Sequence, residues 1–136
     1  MADALAARTS FECANPILRV ADMARSVRYY VETLGFSNAE WGSDDFTCVT
    51  RDNAGIYLSA GDQGHPGMWV WIGVGDVEAL YEEYMARGAM ILHAPENFPW
   101  AFEMKVGDPD GHVLRFGSEP KEGTRLPSAW PAEQPT

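Results

Sequence analysis

Basic side chains are scarce in this chain. Lys and Arg number 10 against 20 Asp and Glu, giving a formal net charge of −10 over 136 residues. Grip on a nucleic-acid backbone needs clustered Lys and Arg, so nucleic acid is not an expected partner. An acidic field suits a cationic ligand steered in from solution, though it also serves solubility alone. Cysteine is scarcer still. Cys13 and Cys48 are the only two and no CxxC pair occurs, which removes zinc knuckles and thioredoxin-type motifs. Two isolated thiols fit a reducing, cytoplasmic setting. No apolar run approaches the roughly 20 residues that span a bilayer, so no membrane partner is expected. The opening residues lack the basic start and apolar stretch of a signal peptide. Histidine is limited to His65, His93 and His112, whose spacings match no metal-ligand pattern; all three read as surface or loop residues.

What the chain does have is apolar mass and a repeat. It is 46% hydrophobic, with five Trp, five Tyr and six Phe, enough to bury the core of one domain. Leu18-Arg19-Val20-Ala21-Asp22 leads into a helical stretch over Met23 to Leu34 that stops at Gly35. Ile72-Gly73-Val74-Gly75-Asp76 leads into a second over Val77 to Arg87 that stops at Gly88. Asp22 and Asp76 lie 54 residues apart and are good N-caps, because a carboxylate there accepts free N–H groups of the first turn. Gly suits the left-handed residue that ends a helix. Met23, Val27, Tyr30, Val31 and Leu34, then Val77, Leu80, Tyr81, Tyr84 and Met85, recur at helical spacing.

Strands are expected at 15–20, 37–41, 46–51 and 56–60 in the first copy, with a hairpin turn at Asp52-Asn53-Ala54-Gly55. In the second they are expected at 68–74, 90–93, 101–106 and 113–117, with a turn at Asp108-Pro109-Asp110-Gly111. The chain therefore reads as two βαβββ units. Residues 1–12 are expected to be a flexible N-terminus, 13–118 the domain (modules 13–61 and 68–118), and 119–136 a proline-rich tail in which Trp130 is the one candidate anchor.

Side chains alternate faces along a strand. If Leu18 and Val20 pack on the helix, Asn15, Ile17 and Arg19 face the other way. Trp69 and Trp71 then share one face, as do Tyr57 and Ser59, and Val113 and Arg115. A single Trp or Phe on a strand is most often core. Two Trp at i and i+2, and a Trp100 that follows Pro99 in a loop, fit a ligand site better.

With the repeat, Val20-Ala21-Asp22, Leu34-Gly35-Phe36 and the DPDG turn in place, the chain resembles the vicinal-oxygen-chelate superfamily. That superfamily includes glyoxalase I, extradiol dioxygenases, and fosfomycin and bleomycin resistance proteins. The resemblance covers about residues 14–118. It implies an α+β fold in which two βαβββ modules form a curled mixed sheet around a cleft, helices outside.

Metal-dependent members place His, Gln or Glu at four cleft positions. The matching positions here are Asn15, Tyr57 or Ser59, Trp69 and Arg115, none a usual ligand for a divalent metal. No metal and no cofactor are therefore expected. The strongest local match is to the bleomycin resistance proteins, through Asn15-Pro16-Ile17-Leu18, Asp44-Asp45-Phe46, Ile56-Tyr57-Leu58-Ser59-Ala60 with Trp69-Val70-Trp71, and Pro99-Trp100.

This resemblance implies a homodimer, with an early proline letting the first strand cross to the partner. It also implies a metal-free protein that sequesters a bleomycin-type antibiotic or similar bulky aromatic cation and so confers resistance. Phe46 and Trp100 would clamp flat rings, with Trp69 and Trp71 beside them. Asp44, Asp45 and Asp62 would attract positive charge, and Ser59 and Asn15 would supply hydrogen bonds. Arg115 would place a cation in the same groove. The alternative is a metal-dependent enzyme of the glyoxalase or dioxygenase type.

Overall fold

Each helix begins on its aspartate. In a computed structural model that describes residues 8–121, Asp22 and Asp76 have extended backbones, and their Oδ1 atoms each accept the N–H three residues on, Arg25 and Ala79, at 3.1 Å. Gly35 and Gly88 end the two helical stretches with φ of +81° and +78°, where a Cβ would be strained.

The first module runs β1 (Ile17–Arg19), α1 (Met23–Arg28) with a π-helical extension (Tyr29–Thr33), β2 (Ser37–Asn38), β3 (Phe46–Arg51) and β4 (Ala54–Ser59). The second runs β5 (Trp69–Gly73), α2 (Val77–Arg87), β6 (Met90–Asn97), β7 (Phe102–Gly107) and β8 (Val113–Ser118). The two sheets have one topology, β1-β4-β3-β2 and β5-β8-β7-β6. In each, the first pair is parallel and the other two pairs are antiparallel. The molecule is α+β, built from two four-stranded mixed sheets and two helices. The expected repeat is there, element for element.

Local differences from the sequence reading have local causes. The first helix is not α-helical to Leu34: the Leu34 N–H bonds Tyr29 O, five residues back, at 3.0 Å. β2 stops at Asn38, because Gly42 N–H turns back onto Ala39 O, and Trp41 leaves the strand. β6 does not stop at His93 but continues through Pro95 to Asn97, with register shifts on either side of His93. It is an edge strand, where the missing N–H of proline is tolerated.

One face of each sheet is sealed. Leu18, Val20, Val49, Ile56 and Leu58 from the first sheet join Met104, Val106, Leu114 and Phe116 from the second in a single core with Tyr30 and Tyr84 of the helices. Full burial of such side chains contributes about 1.5–3 kcal/mol each.

Polar contacts stitch the modules. Asp108 Oδ2 accepts Tyr30 OH at 2.8 Å, and Asp110 accepts Ala21 N–H, Arg25 Nη2 and Ser26 Oγ at 2.8–3.0 Å. His112, expected at the surface, is fully buried. Its Nδ1 accepts Met68 N–H at 2.9 Å, and its Nε2 donates to Arg19 O at 2.7 Å. These roles fix the neutral Nε2–H tautomer. His65 and His93 are exposed, as expected.

Candidate functional site

The other face of each sheet is open, and aromatic rings lie on it. On the first sheet, the register sets Arg19 beside Ser59 and Ser59 beside Phe46, with Ile17, Tyr57 and Cys48 in the next row. Phe46 stacks on Tyr57 with centroids 5.3 Å apart and planes at 21°. Trp41 also stacks on Phe46, at 6.4 Å, and is 62% exposed. Trp41 is a site candidate that the sequence reading missed by holding it inside a strand.

Asp44 and Asp45 are exposed where the chain enters β3. Asn15 is exposed, but its amide already donates to Gly55 O at 2.9 Å. Ser59 is 2% exposed, and its Oγ accepts Gly61 N–H.

On the second sheet, Trp69 and Trp71 point the same way and are 59% and 52% exposed. Rows across this face run Trp69–Val113 and Trp71–Arg115–Lys105. Lys105 Nζ lies over the Trp69 ring, 5.5 Å from its centroid. Trp100 lies in the loop between β6 and β7, as expected, half-buried and stacked on Phe98 at 4.8 Å with planes 9° apart. Phe46 and Trp100 thus belong to different modules of one chain.

The organising group of this second face is Glu103, which the sequence reading did not single out. Its carboxylate is 2% exposed and takes Arg115 in a fork: Nε to Oε2 at 2.8 Å and Nη2 to Oε1 at 3.1 Å. Trp100 Nε1 donates to Oε1 at 3.0 Å, and Trp71 Nε1 lies 3.5 Å from the same oxygen. One buried carboxylate therefore orients two indoles and cancels the charge of Arg115. Strand alternation was signal enough to find it: Glu103 and Lys105 share one face of β7, and Met104 and Val106 the other.

A cavity of about 630 Å3 lies elsewhere, between the 51–55 hairpin, the chain at 13–16 and the start of α2. Of the expected site residues only Asn15 and Trp71 line it. Its charged pair, Arg51 and Glu83, is satisfied internally at 3.0 Å. The open aromatic faces, not this cavity, carry the candidate chemistry.

The residues at the superfamily's metal positions do not fit a divalent cation. The Asn15 amide is engaged, Tyr57 stacks on Phe46 and the alternative Ser59 is buried and accepts Gly61 N–H, Trp69 lies under Lys105, and Arg115 is a cation. Among the described residues no three His, Cys, Asp or Glu side chains converge as a metal-binding group.

Comparison with known proteins gives the fold its relatives. A bleomycin-binding protein from the bleomycin-producing Streptomyces verticillus, solved with copper(II)-bleomycin, superposes with a TM-score of 0.70 at 27% identity, covering 84% of this chain and 100% of that one. An antibiotic-binding protein from Streptomyces sp. CB03234 gives a TM-score of 0.70 at 24% identity over 84% and 100%. A bleomycin-binding protein in complex with bleomycin gives 0.69 at 22% over 80% and 99%. The last two speak for the fold alone. No curated protein sequence matches the chain. The family model of the Glyoxalase/Bleomycin resistance protein/Dioxygenase superfamily matches residues 11–116, and the chain belongs to that superfamily.

Proposed function

We propose that the protein is a non-catalytic binder that sequesters a bulky, flat, partly cationic aromatic antibiotic of the bleomycin type. The observation that carries this is the exposed Trp69 and Trp71, side by side on an open sheet face, with Trp71 and Trp100 oriented by a buried carboxylate. Tryptophans left half in water at i and i+2 serve no core. Their faces suit flat rings, each stacked pair adding about 0.5–1.5 kcal/mol beyond the area it buries. Arg115 does not oppose a cationic ligand, because Glu103 neutralises it. Asp44 and Asp45 leave negative charge at the rim of the other face.

The binding unit in this reading is a homodimer. Phe46 and Trp100, in different modules of one chain, would close on a ligand from opposite subunits. Phe11 is 98% exposed on the chain before β1, and Pro16 immediately precedes that strand. An apolar ring so placed suits contact with a second copy. The setting expected is the cytoplasm.

Trp100→Ala tests the site. Titration with metal-free bleomycin should quench tryptophan fluorescence in the wild type, and the variant should bind about 3- to 30-fold more weakly. Its melting midpoint should fall by only a few degrees. Unchanged affinity, or a loss of ten degrees or more (more than about 1–2 kcal/mol), makes Trp100 a core residue. Light scattering at tens of micromolar should give a dimer, and a monomer would remove the between-subunit groove.

A further inference from the structure

We propose that Arg19 is the anchor of an oxygen-acceptor subsite on the first sheet's open face, taking an anionic or strongly accepting oxygen carried by the planar ligand. The inference rests on the binding reading above and narrows it to a class: flat aromatic molecules bearing a carboxylate or a comparable oxygen group.

This chain has twice as many acids as bases. Among the described residues Arg25, Arg51, Arg87, Arg115 and Lys121 each pair with a carboxylate within 3.3 Å. Arg8, Arg28, Lys105 and Arg19 have no such pair, and what sets Arg19 apart among them is its Nε. Its Nε is sealed from solvent with no hydrogen-bond partner, the one such buried side-chain nitrogen or oxygen among the described residues. A buried donor left unmet costs free energy, and buried polar groups are otherwise paired almost without exception. Because Nε is closed off, a group from outside the chain can meet only the two Nη atoms of the same guanidinium, which are not closed off and make no hydrogen bond.

Its position says which. Arg19, Ser59 and Phe46 are consecutive across three strands on one face, so Arg19 lies about 10 Å from Phe46, two strand spacings. That distance matches a carboxylate at the end of a ring system laid on the Phe46–Tyr57 stack. The Arg19 backbone is held from both sides. His112 Nε2 donates to Arg19 O at 2.7 Å. The 61–67 loop is packed so closely that a Cβ on Gly64 would sit 3.0 Å from Arg19 N and 2.7 Å from Ile17 O. The guanidinium thus projects from a fixed point, as a recognition group must. A chain of net charge −10 repels small free anions, so the subsite acts on ligands already held by their rings.

The test uses two probes of one shape, anthraquinone-2-carboxylate and anthraquinone-2-carboxamide, titrated by tryptophan quenching into wild type, Arg19→Met and Arg19→Lys. The acid should bind the wild type about 10- to 100-fold more tightly than the amide, the scale of a charge-assisted hydrogen bond. The preference should vanish in Arg19→Met and survive in part in Arg19→Lys. Without ligand, Arg19→Met should melt at or above the wild-type midpoint, because it removes an unmet buried donor. Equal binding of acid and amide by the wild type, or a preference that persists in Arg19→Met, overturns the subsite and leaves the binding reading standing. Failure of both probes to bind the wild type overturns the subsite, and the binding reading falls with it only if bleomycin also fails to bind. If Arg19→Met melts lower and its dimer dissociates, Arg19 pairs with a second copy and the subsite is wrong.

Discussion

At Glu103 three side chains converge, from Arg115, Trp71 and Trp100, and 2% exposure leaves the carboxylate no water to replace them. Removing one partner of a buried pair leaves the other uncompensated, so Glu103→Ala should cost about 3 kcal/mol, measured as a shift in urea unfolding. Arg115 is partly exposed, which keeps the cost at the lower end of that range. A loss under 1 kcal/mol would mean that water already screens Arg115. The same residue shows how the site could be read in advance. Period two along β7 puts Glu103 and Lys105 on the open face, and period two along β8 puts His112 on the core face with Leu114 and Phe116. Those placements were legible. The fork to Arg115 and the engagement of Asn15 by Gly55 O were not, because they join residues 12 and 40 positions apart.

Helices were the most legible elements, since their signals are local: an aspartate cap, a 3.6 period and a closing glycine. Gly35 carries more than a turn. A Cβ there would sit 2.7 Å from Arg51 Nη1, which itself donates to Leu34 O and to Glu83. Gly35→Ala should therefore exceed the roughly 1–2 kcal/mol of a left-handed residue alone, reaching about 2–3 kcal/mol in chemical denaturation. A cost no higher than about 1–2 kcal/mol would show that the Arg51–Glu83 pair yields freely. Strand limits were less legible. β6 passes through Pro95, which reads as a breaker in sequence and is tolerated here because nothing pairs on its outer side. Trp41 leaves β2 for a turn and stacks on Phe46, a contact that no periodicity encodes.

The two modules hold together through a seam of titratable groups, and the whole molecule should respond to pH accordingly. The hydrogen bond from Arg51, helped by the charges of Arg51 and Arg87, holds the Glu83 carboxyl below its ordinary value of 4.5, against an opposing effect of burial that is second in size to that hydrogen bond. Its folded pKa is depressed, so its contribution is present above the unfolded pKa and is lost as pH falls through the folded one. Stability should drop below about pH 4.5, and Glu83→Gln should flatten that limb. Burial pushes the Tyr84 phenol up to about 12; its OH donates to Leu34 O at 2.8 Å. Its folded pKa is raised, so stability should fall as pH rises from about 10 towards 12, checked by melting midpoints across that window. The fold and the repeat could be read from sequence because the repeat is spelled out in capped helices and the DPDG turn. The relation between the two aromatic clusters could not, since they belong to different modules of the chain. The most direct test of the central claim is calorimetric titration of chelator-treated protein with metal-free and copper-loaded bleomycin, followed by mass analysis of the recovered drug. Saturable binding with the drug recovered unchanged is the predicted result. No heat at a hundredfold excess, or a chemically altered drug, would contradict sequestration by an aromatic groove.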